Sequence, residues 1–270
     1  MRRPLFIAVS CVALGALLHT LVTHVPAIQA ADERTLEGFM GLWPFSWVRE
    51  SHQVVSLFNP APYAVLVLGI VAGAALMGRT RIGLLAAGAM LCASATSQLL
   101  KHFLATDHNS AQWLGQHTWP SGHTTGAMSF ALALVLISPS NRRWLAATVG
   151  GLLTVATAYG ILINGWHFPS DVLGGLLVST FWASLAVLPL RSWERVSLRA
   201  PVLAGGVLAL AGLLAFLTRP EAAATYAVDN TTFVFGALAI AFAVLVLSGS
   251  VLAPTAAPPR RPLGSPRARG

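Results

Sequence analysis

The sequence predicts an all-α fold, a polytopic membrane helix bundle of about eight transmembrane helices. Three observations predict it. The chain of 270 residues is 55% hydrophobic and only 10% charged, whereas a soluble domain carries about 25% charged residues; charge cannot coat a globular surface here. The apolar residues gather in eight runs, each near the ~20 residues that a helix needs to cross a hydrocarbon core of about 30 Å. Finally, the basic residues collect in every second connecting segment, as the positive-inside rule requires of a membrane protein.

In chain order the runs are Pro4–Val22, Pro62–Gly78, Ile82–Leu100, His123–Pro139, Trp144–Trp166, Val172–Leu190, Pro201–Leu217 and Phe233–Leu252. None alternates apolar and polar residues as a barrel strand does. The first has the basic start of a signal peptide, but residues 27–31 offer no clean Ala-x-Ala site, so it is read as a retained helix. Between the first two runs lies the longest connecting segment, Ala31–Asn59. Its Phe39, Leu42, Trp43, Phe45 and Trp47 surround the helix-breaking Pro44, and the segment is read as an outer loop with an interfacial aromatic anchor. Cys11 and Cys92 sit inside apolar runs as packing residues. The Pro/Arg-rich stretch 253–270 is expected to be a disordered basic tail.

With a cytoplasmic N-terminus, the inner segments hold Arg2, Arg3, Arg79, Arg81, Arg142, Arg143, Arg191, Arg195, Arg199, Arg260, Arg261, Arg267 and Arg269. The outer segments hold Arg34, Arg49, Lys101 and Arg219, and among acidic residues only Glu194 falls inside. The formal charge of +8 is thus accounted for by membrane orientation, which removes the reason to expect a nucleic-acid partner. Both termini are placed in the cytoplasm. The preference for Arg over Lys, with the Ala/Gly bias, points to a bacterial source.

All eight histidines lie toward the outer side, and Lys101 is the sole lysine. Three polar clusters share that side: Lys101–His108, Pro120–Ser121–Gly122–His123, and His167–Phe168–Pro169–Ser170–Asp171. Ser121, Gly122 and His123 open an apolar helix, where unpaired N–H groups and the helix dipole favour an anion; a plain capping turn is the alternative. His167 and Asp171 are spaced i, i+4 and share a helix face if the helix begins at or before His167. A carboxylate on one imidazole nitrogen leaves the other free as a nucleophile; a structural hydrogen bond is the alternative. Lys101 alone could be a snorkelling cation. Together the groups make a phosphoryl-transfer kit.

These residues resemble the type 2 phosphatidic acid phosphatase family of membrane lipid phosphatases. Its motifs are Lys-x6-Arg-Pro, Pro-Ser-Gly-His and Ser-Arg-x5-His-x3-Asp; Lys101, Pro120–His123, His167 and Asp171 match them. His108–Asn109 and Gly160–Ile161 stand where the two motif arginines belong. The resemblance implies a six-helix phosphatase-like core within residues 1–200, with two additional transmembrane helices over 201–252. It implies that His167 attacks phosphorus to form a phosphohistidine, that Asp171 orients it, and that His123 protonates the leaving oxygen. Lys101, the Ser121 hydroxyl and the Gly122 N–H would hold the phosphoryl oxygens, with His108 as candidate substitute cation. No metal and no cofactor are implied, and the substrate would be a lipid phosphate or diphosphate met among the membrane lipids at the outer face. Two other readings compete. A catalytically silent headgroup-binding protein is suggested by the missing arginines. A transporter is disfavoured because ionisable residues avoid mid-span positions.

Overall fold

The computed structural model describes residues 2–42, 51–104, 119–190, 193–195, 199–250 and 252–254. Each of the eight apolar runs is helical. The elements are α1 (Arg2–His24), α2 (Pro26–Met40), α3 (Ser51–Ser56), α4 (Pro60–Leu76), α5 (Thr80–Phe103), α6 (Gly122–Ile137), α7 (Arg143–Ile163), α8 (Pro169–Ala186), α9 (Arg199–Thr218), α10 (Pro220–Asp229) and α11 (Thr231–Ser250). A 3-10 turn, Ser140–Arg142, leads into α7. Two three-residue strands, β1 (Trp193–Arg195) and β2 (Leu252–Pro254), pair antiparallel. β2 thus takes residues 253 and 254 of the expected tail; 255–270 lies outside the described residues.

Among the described residues, four helices are long and apolar enough to cross a membrane by themselves: Arg3–His24, Thr80–Phe103, Ser140–Ile163 and Thr231–Ser250. Val202–Thr218 and Pro220–Asp229, bent by 113°, make a fifth if taken as one broken span. α4 and α6 are shorter apolar helices. At 16 residues, α6 is about 24 Å long. It can be short because protein surrounds it: α5, α7 and α8 all pack on it.

The segment 31–59 departs from its reading as a loop. Its first part belongs to α2, which buries Asp32, Thr35, Leu36 and Phe39. That is the i, i+3, i+4, i+7 stripe of an amphipathic helix, too short and too polar to stand out among membrane spans. α3 also lies in this segment, whereas Trp43, Phe45 and Trp47 lie outside the described residues.

The helices are held by close approach and by hydrogen bonds. In lipid, apolar side chains gain little from choosing protein over acyl chains, so shape and polar contacts decide association. A Cβ on Gly150 would stand 2.7 Å from Ala131 Cβ, which shows how near α6 and α7 come. The Tyr63 hydroxyl donates to Met90 O at 3.0 Å, tying α4 to α5, and lies 2.9 Å from Ser129 Oγ on α6. Ser179 Oγ of α8 donates to Thr125 O of α6 at 2.8 Å. One core cluster gathers Tyr63, Met90, Met128, Leu132 and Leu176. A second, with Leu36, Phe39, Ile161, Phe168 and Val172, lies around the α7–α8 turn.

The two ends of the bundle differ in chemistry. At one end Arg79 Nη1 donates to Ile137 O at 2.6 Å, and Arg143 Nε donates to Ser138 O at 3.2 Å. These arginines meet the carbonyl end of α6, where the dipole is negative. Lys101, the Pro120–His123 turn and the His167–Asp171 cluster stand at its other end.

Candidate active site

α6 begins at the Pro-Ser-Gly-His tetrapeptide. Ser121 is its N-cap, with extended backbone angles, and Ser121 Oγ accepts from Thr124 N at 3.3 Å. Ser121 N donates to Asp171 O at 2.9 Å, which ties the start of α6 to the start of α8. Ser121 is fully buried, and its hydroxyl retains one proton to donate. The capping role expected as the alternative is therefore present. Gly122 opens the helix beside Lys101: a Cβ there would lie 3.7 Å from Lys101 Nζ and 3.3 Å from Gln98 Nε2. Any side chain at this position would intrude between the ammonium and the helix N-terminus.

His167 does not share a helix face with Asp171. α8 starts at Pro169 and Phe168 is its N-cap, so His167 precedes the helix. The pair forms because Asp171, in the first turn, reaches backward. Asp171 Oδ2 accepts from Phe168 N at 2.9 Å and lies 3.2 Å from His167 Nδ1. A carboxylate only accepts, so with Asp171 ionised and His167 neutral the proton sits on Nδ1 and Nε2 keeps its lone pair. Pro169 at the first helical position costs no hydrogen bond there. Asp171 is fully buried, and among the described residues its Oδ1 has no hydrogen-bond partner.

Lys101 occupies the last turn of α5 within electrostatic reach of Asp171. His123, in the first turn of α6, is within electrostatic reach of His167 and Lys101. Its Nε2 lies 3.0 Å from Asn59 Oδ1, and its ring centroid is 5.8 Å from that of Trp166. Trp166 also meets His52 edge-on at 5.3 Å. Lys101, Ser121, Gly122, His123, His167 and Asp171 are thus brought to one place by α5, α6 and the α7–α8 turn. His108 lies outside the described residues. Gly160, where a motif arginine would be preceded by serine, is a packing position instead: a Cβ there would stand 2.9 Å from Val55 Cγ2, and Ile161 beside it is fully buried.

Three contributors escaped sequence reasoning. Asn59 is an ordinary loop residue by sequence. His19 on α1 comes within electrostatic reach of Asp171, and its ring lies 4.9 Å from that of Trp119. Asp32 is the largest surprise. It is buried, and its Oδ1 accepts from Ser170 N at 3.0 Å while its Oδ2 accepts from Ser170 Oγ at 2.6 Å. Burial pushes the Asp32 carboxyl up to about 7; the neighbouring charges of Asp171 and Glu33 push the same way, against the two Ser170 donors. Only its place in the α2 stripe could have signalled it, because an acid on a buried stripe demands a partner.

An apolar cavity of about 410 Å³ opens beside the site between α1, α5 and α8. Cys11, His19, Leu100, Trp119, Leu177 and Phe181 are among its walls. Among the described residues, no three His, Cys, Asp or Glu side chains are grouped to hold a metal ion.

The model of the PAP2 superfamily matches residues 44–193, more than half of the chain. The protein belongs to the PAP2 superfamily. The matched stretch contains all three polar clusters but excludes α1, α2 and nearly everything after α8. Among solved structures, the chain is similar to a transmembrane PAP2-type phosphatidylglycerolphosphate phosphatase from Bacillus subtilis. The two share 22% identity and a TM-score of 0.58, over 69% of this chain and 94% of that one. At that identity the likeness establishes a shared PAP2 fold. No curated protein matches the chain.

Proposed function

We propose that this PAP2 protein is a membrane phosphatase that hydrolyses a lipid phosphate or diphosphate at the outer membrane face through a phosphohistidine on His167. The observation that carries the reading is the His167–Asp171 pair beside the start of α6. Asp171 holds the Nδ1 proton, so the Nε2 lone pair is available for attack on phosphorus. The N–H groups at Gly122 and the Lys101 ammonium offer donors to the phosphoryl oxygens. In the first step the Nε2–P bond forms, the P–O bond to the lipid breaks, and His123 gives its proton to the leaving oxygen. In the second, His123 takes a proton from water, the water oxygen bonds to phosphorus, and the N–P bond breaks to release phosphate.

The lipid class is supported by the apolar cavity beside the site, which suits a hydrocarbon chain while the headgroup meets the polar residues. The outer-face orientation rests on the distribution of arginines. His108 serves in this reading as the cation that replaces the first motif arginine, since a protonated imidazole carries part of the guanidinium role.

The absent arginines favour a second reading, a headgroup-binding protein without turnover. Purified protein in detergent, assayed for phosphate release over a panel of lipid phosphates and diphosphates, separates the two. Release that disappears in His167→Ala is expected. Lipid phosphate binding without release from any member of the panel would establish the second reading.

A further inference from the structure

Asp32 is a buried acid for which the phosphatase reading has no role. It stands on α2, outside the stretch matched by the superfamily, and 138 positions before Ser170 in the chain. Yet both of its oxygens are engaged by the one residue that precedes Asp171. Ser170 is 2% exposed and Asp171 is fully buried, so this contact is internal to the site wall. It also sits in the first turn of α8, where N–H groups without an intrahelical partner need an acceptor.

The helix that carries Asp32 is itself held by helices later in the chain. Thr35 Oγ1 approaches Thr232 O at 3.2 Å, and the Tyr226 hydroxyl donates to Gly38 O. Phe39 meets Phe233 edge-on at 4.8 Å. α10 and α11, which lie beyond the matched stretch, therefore hold α2 along the same buried stripe that carries Asp32, and α11 packs on α8 as well. The chain of contacts runs from α11 through α2 and Asp32 to Ser170, and from there to Asp171 and His167.

We propose that Asp32 is a positioning residue for the nucleophile, clamping the first turn of α8 through Ser170 so that Asp171 keeps His167 in its Nδ1–H tautomer with Nε2 free. The inference rests on the phosphatase reading for its consequence in turnover, but not for its geometry. Asn is a faithful mimic of the clamp. Its Oδ1 accepts from Ser170 N and its Nδ2 donates to Ser170 Oγ, and the high pKa of Asp32 means that the site already accommodates a neutral group near neutrality. Ala leaves the Ser170 N–H and hydroxyl without those acceptors.

The test compares the parent, Asp32→Ala, Asp32→Asn and Asp32→Leu in detergent. Ring-nitrogen NMR of ¹⁵N-histidine-labelled protein reads the tautomer of His167, whose signals are identified by their loss in His167→Ala. Phosphate release gives kcat and KM. In Asp32→Ala, His167 is expected to become a mixture of tautomers and kcat to fall about 10- to 100-fold with little change in KM. Asp32→Asn should restore both. A single parent-like tautomer in Asp32→Ala overturns the proposal, even if stability or activity is lost, because that is a merely structural role. Asn behaving like Ala overturns it as well. If Asp32→Ala does not fold, Asp32→Leu decides, since it removes both acceptors whereas Ser170→Ala removes only the hydroxyl contact: a tautomer shift supports the clamp and a parent-like spectrum refutes it. If the parent releases no phosphate from any lipid, the phosphatase reading fails, while the tautomer comparison still decides the role of Asp32.

Discussion

α6 and α11 are both apolar helices of membrane character, yet they live in different surroundings. α6 buries twelve of its 16 residues, from Thr124 to Ile137, whereas α11 buries only Ile240, Val244 and Ser248 of its 20. Small and hydroxyl residues make up half of each helix, but in α6 Thr124, Thr125, Gly126, Ala127, Ser129, Ala131 and Ala133 are buried, whereas in α11 Ser248 alone of them is. The exposed one turns Phe235, Leu238 and Phe242 outward. Hydrophobicity therefore does not decide which helix reaches the middle of the bundle. Small residues let backbones approach, and hydroxyls find carbonyl partners across or along helices, as Ser179 does with Thr125. Lipid supplies neither contact, so such residues hold a helix in the middle of the bundle only where neighbouring helices match them, as α5, α7 and α8 do for α6. Two of the central helices, α6 and α8, bring their N-termini to the site.

The contrast can be broken at its functional end first. His167→Ala should lower phosphate release by on the order of 10⁴-fold or more. Rapid-quench labelling with a radioactive phosphate substrate should find no labelled protein. His123→Ala should still accept label from a substrate with a good leaving group, because only the proton donor is lost. Label retained in His167→Ala means that another residue is the nucleophile.

A structural perturbation of the central layer comes next. A Cβ at Gly175 on α8 would lie 2.7 Å from Ser121 O and 3.0 Å from Thr125 Oγ1. Gly175→Ala should cost about 1–3 kcal/mol by overpacking, and should lower activity by moving α8 from the Ser121 turn. Thermal unfolding in detergent, with phosphate release on the same sample, checks both. Parent-like values in both would mean that the α6–α8 contact is looser than the structure has it.

Asp32 gives a pH-dependent effect. Its folded pKa of about 7 lies above the ordinary carboxyl value of about 3.9, so folding favours its protonated form. That contribution is fully present below about pH 4 and is lost as the pH rises through about 7. Asn cannot ionise. Asp32→Asn should therefore gain Tm relative to the parent between pH 5 and pH 8; a constant Tm difference across that range would show that Asp32 does not titrate there.

The smallest effect belongs to the outer helices. Gly206 on α9 has nothing within 4 Å of an added Cβ. Gly206→Ala should change stability by no more than about 1 kcal/mol, and in the favourable direction, since Ala is the better helix former. A loss as large as that of Gly175→Ala would remove the distinction between the two layers.

Much of this molecule was legible in the sequence because its signals are local. A run such as Thr231–Ser250 must be a helix wherever it lies, since a membrane leaves its backbone no other partner. Lys101, the Pro120–His123 turn, His167 and Asp171 announce themselves by residue type and short spacing. Even so, the His167–Asp171 contact was read on the wrong framework: spacing alone cannot say that Phe168 caps the helix and that Asp171 reaches back past it. α2 was read as loop because five buried positions in a polar segment do not compete with spans of continuous apolar residues.

By itself the sequence determined the helical class, the alternation of basic residues between connecting segments, and the candidate groups for phosphoryl chemistry. Tertiary structure alone decided that α6 and α8 start side by side, that Asn59 meets His123, and that Asp32 closes on Ser170. The physical reason is range. Helix formation and capping are settled within a few residues of chain, whereas a contact such as Asp32–Ser170 joins groups 138 positions apart and exists only once α2 and α8 have packed together.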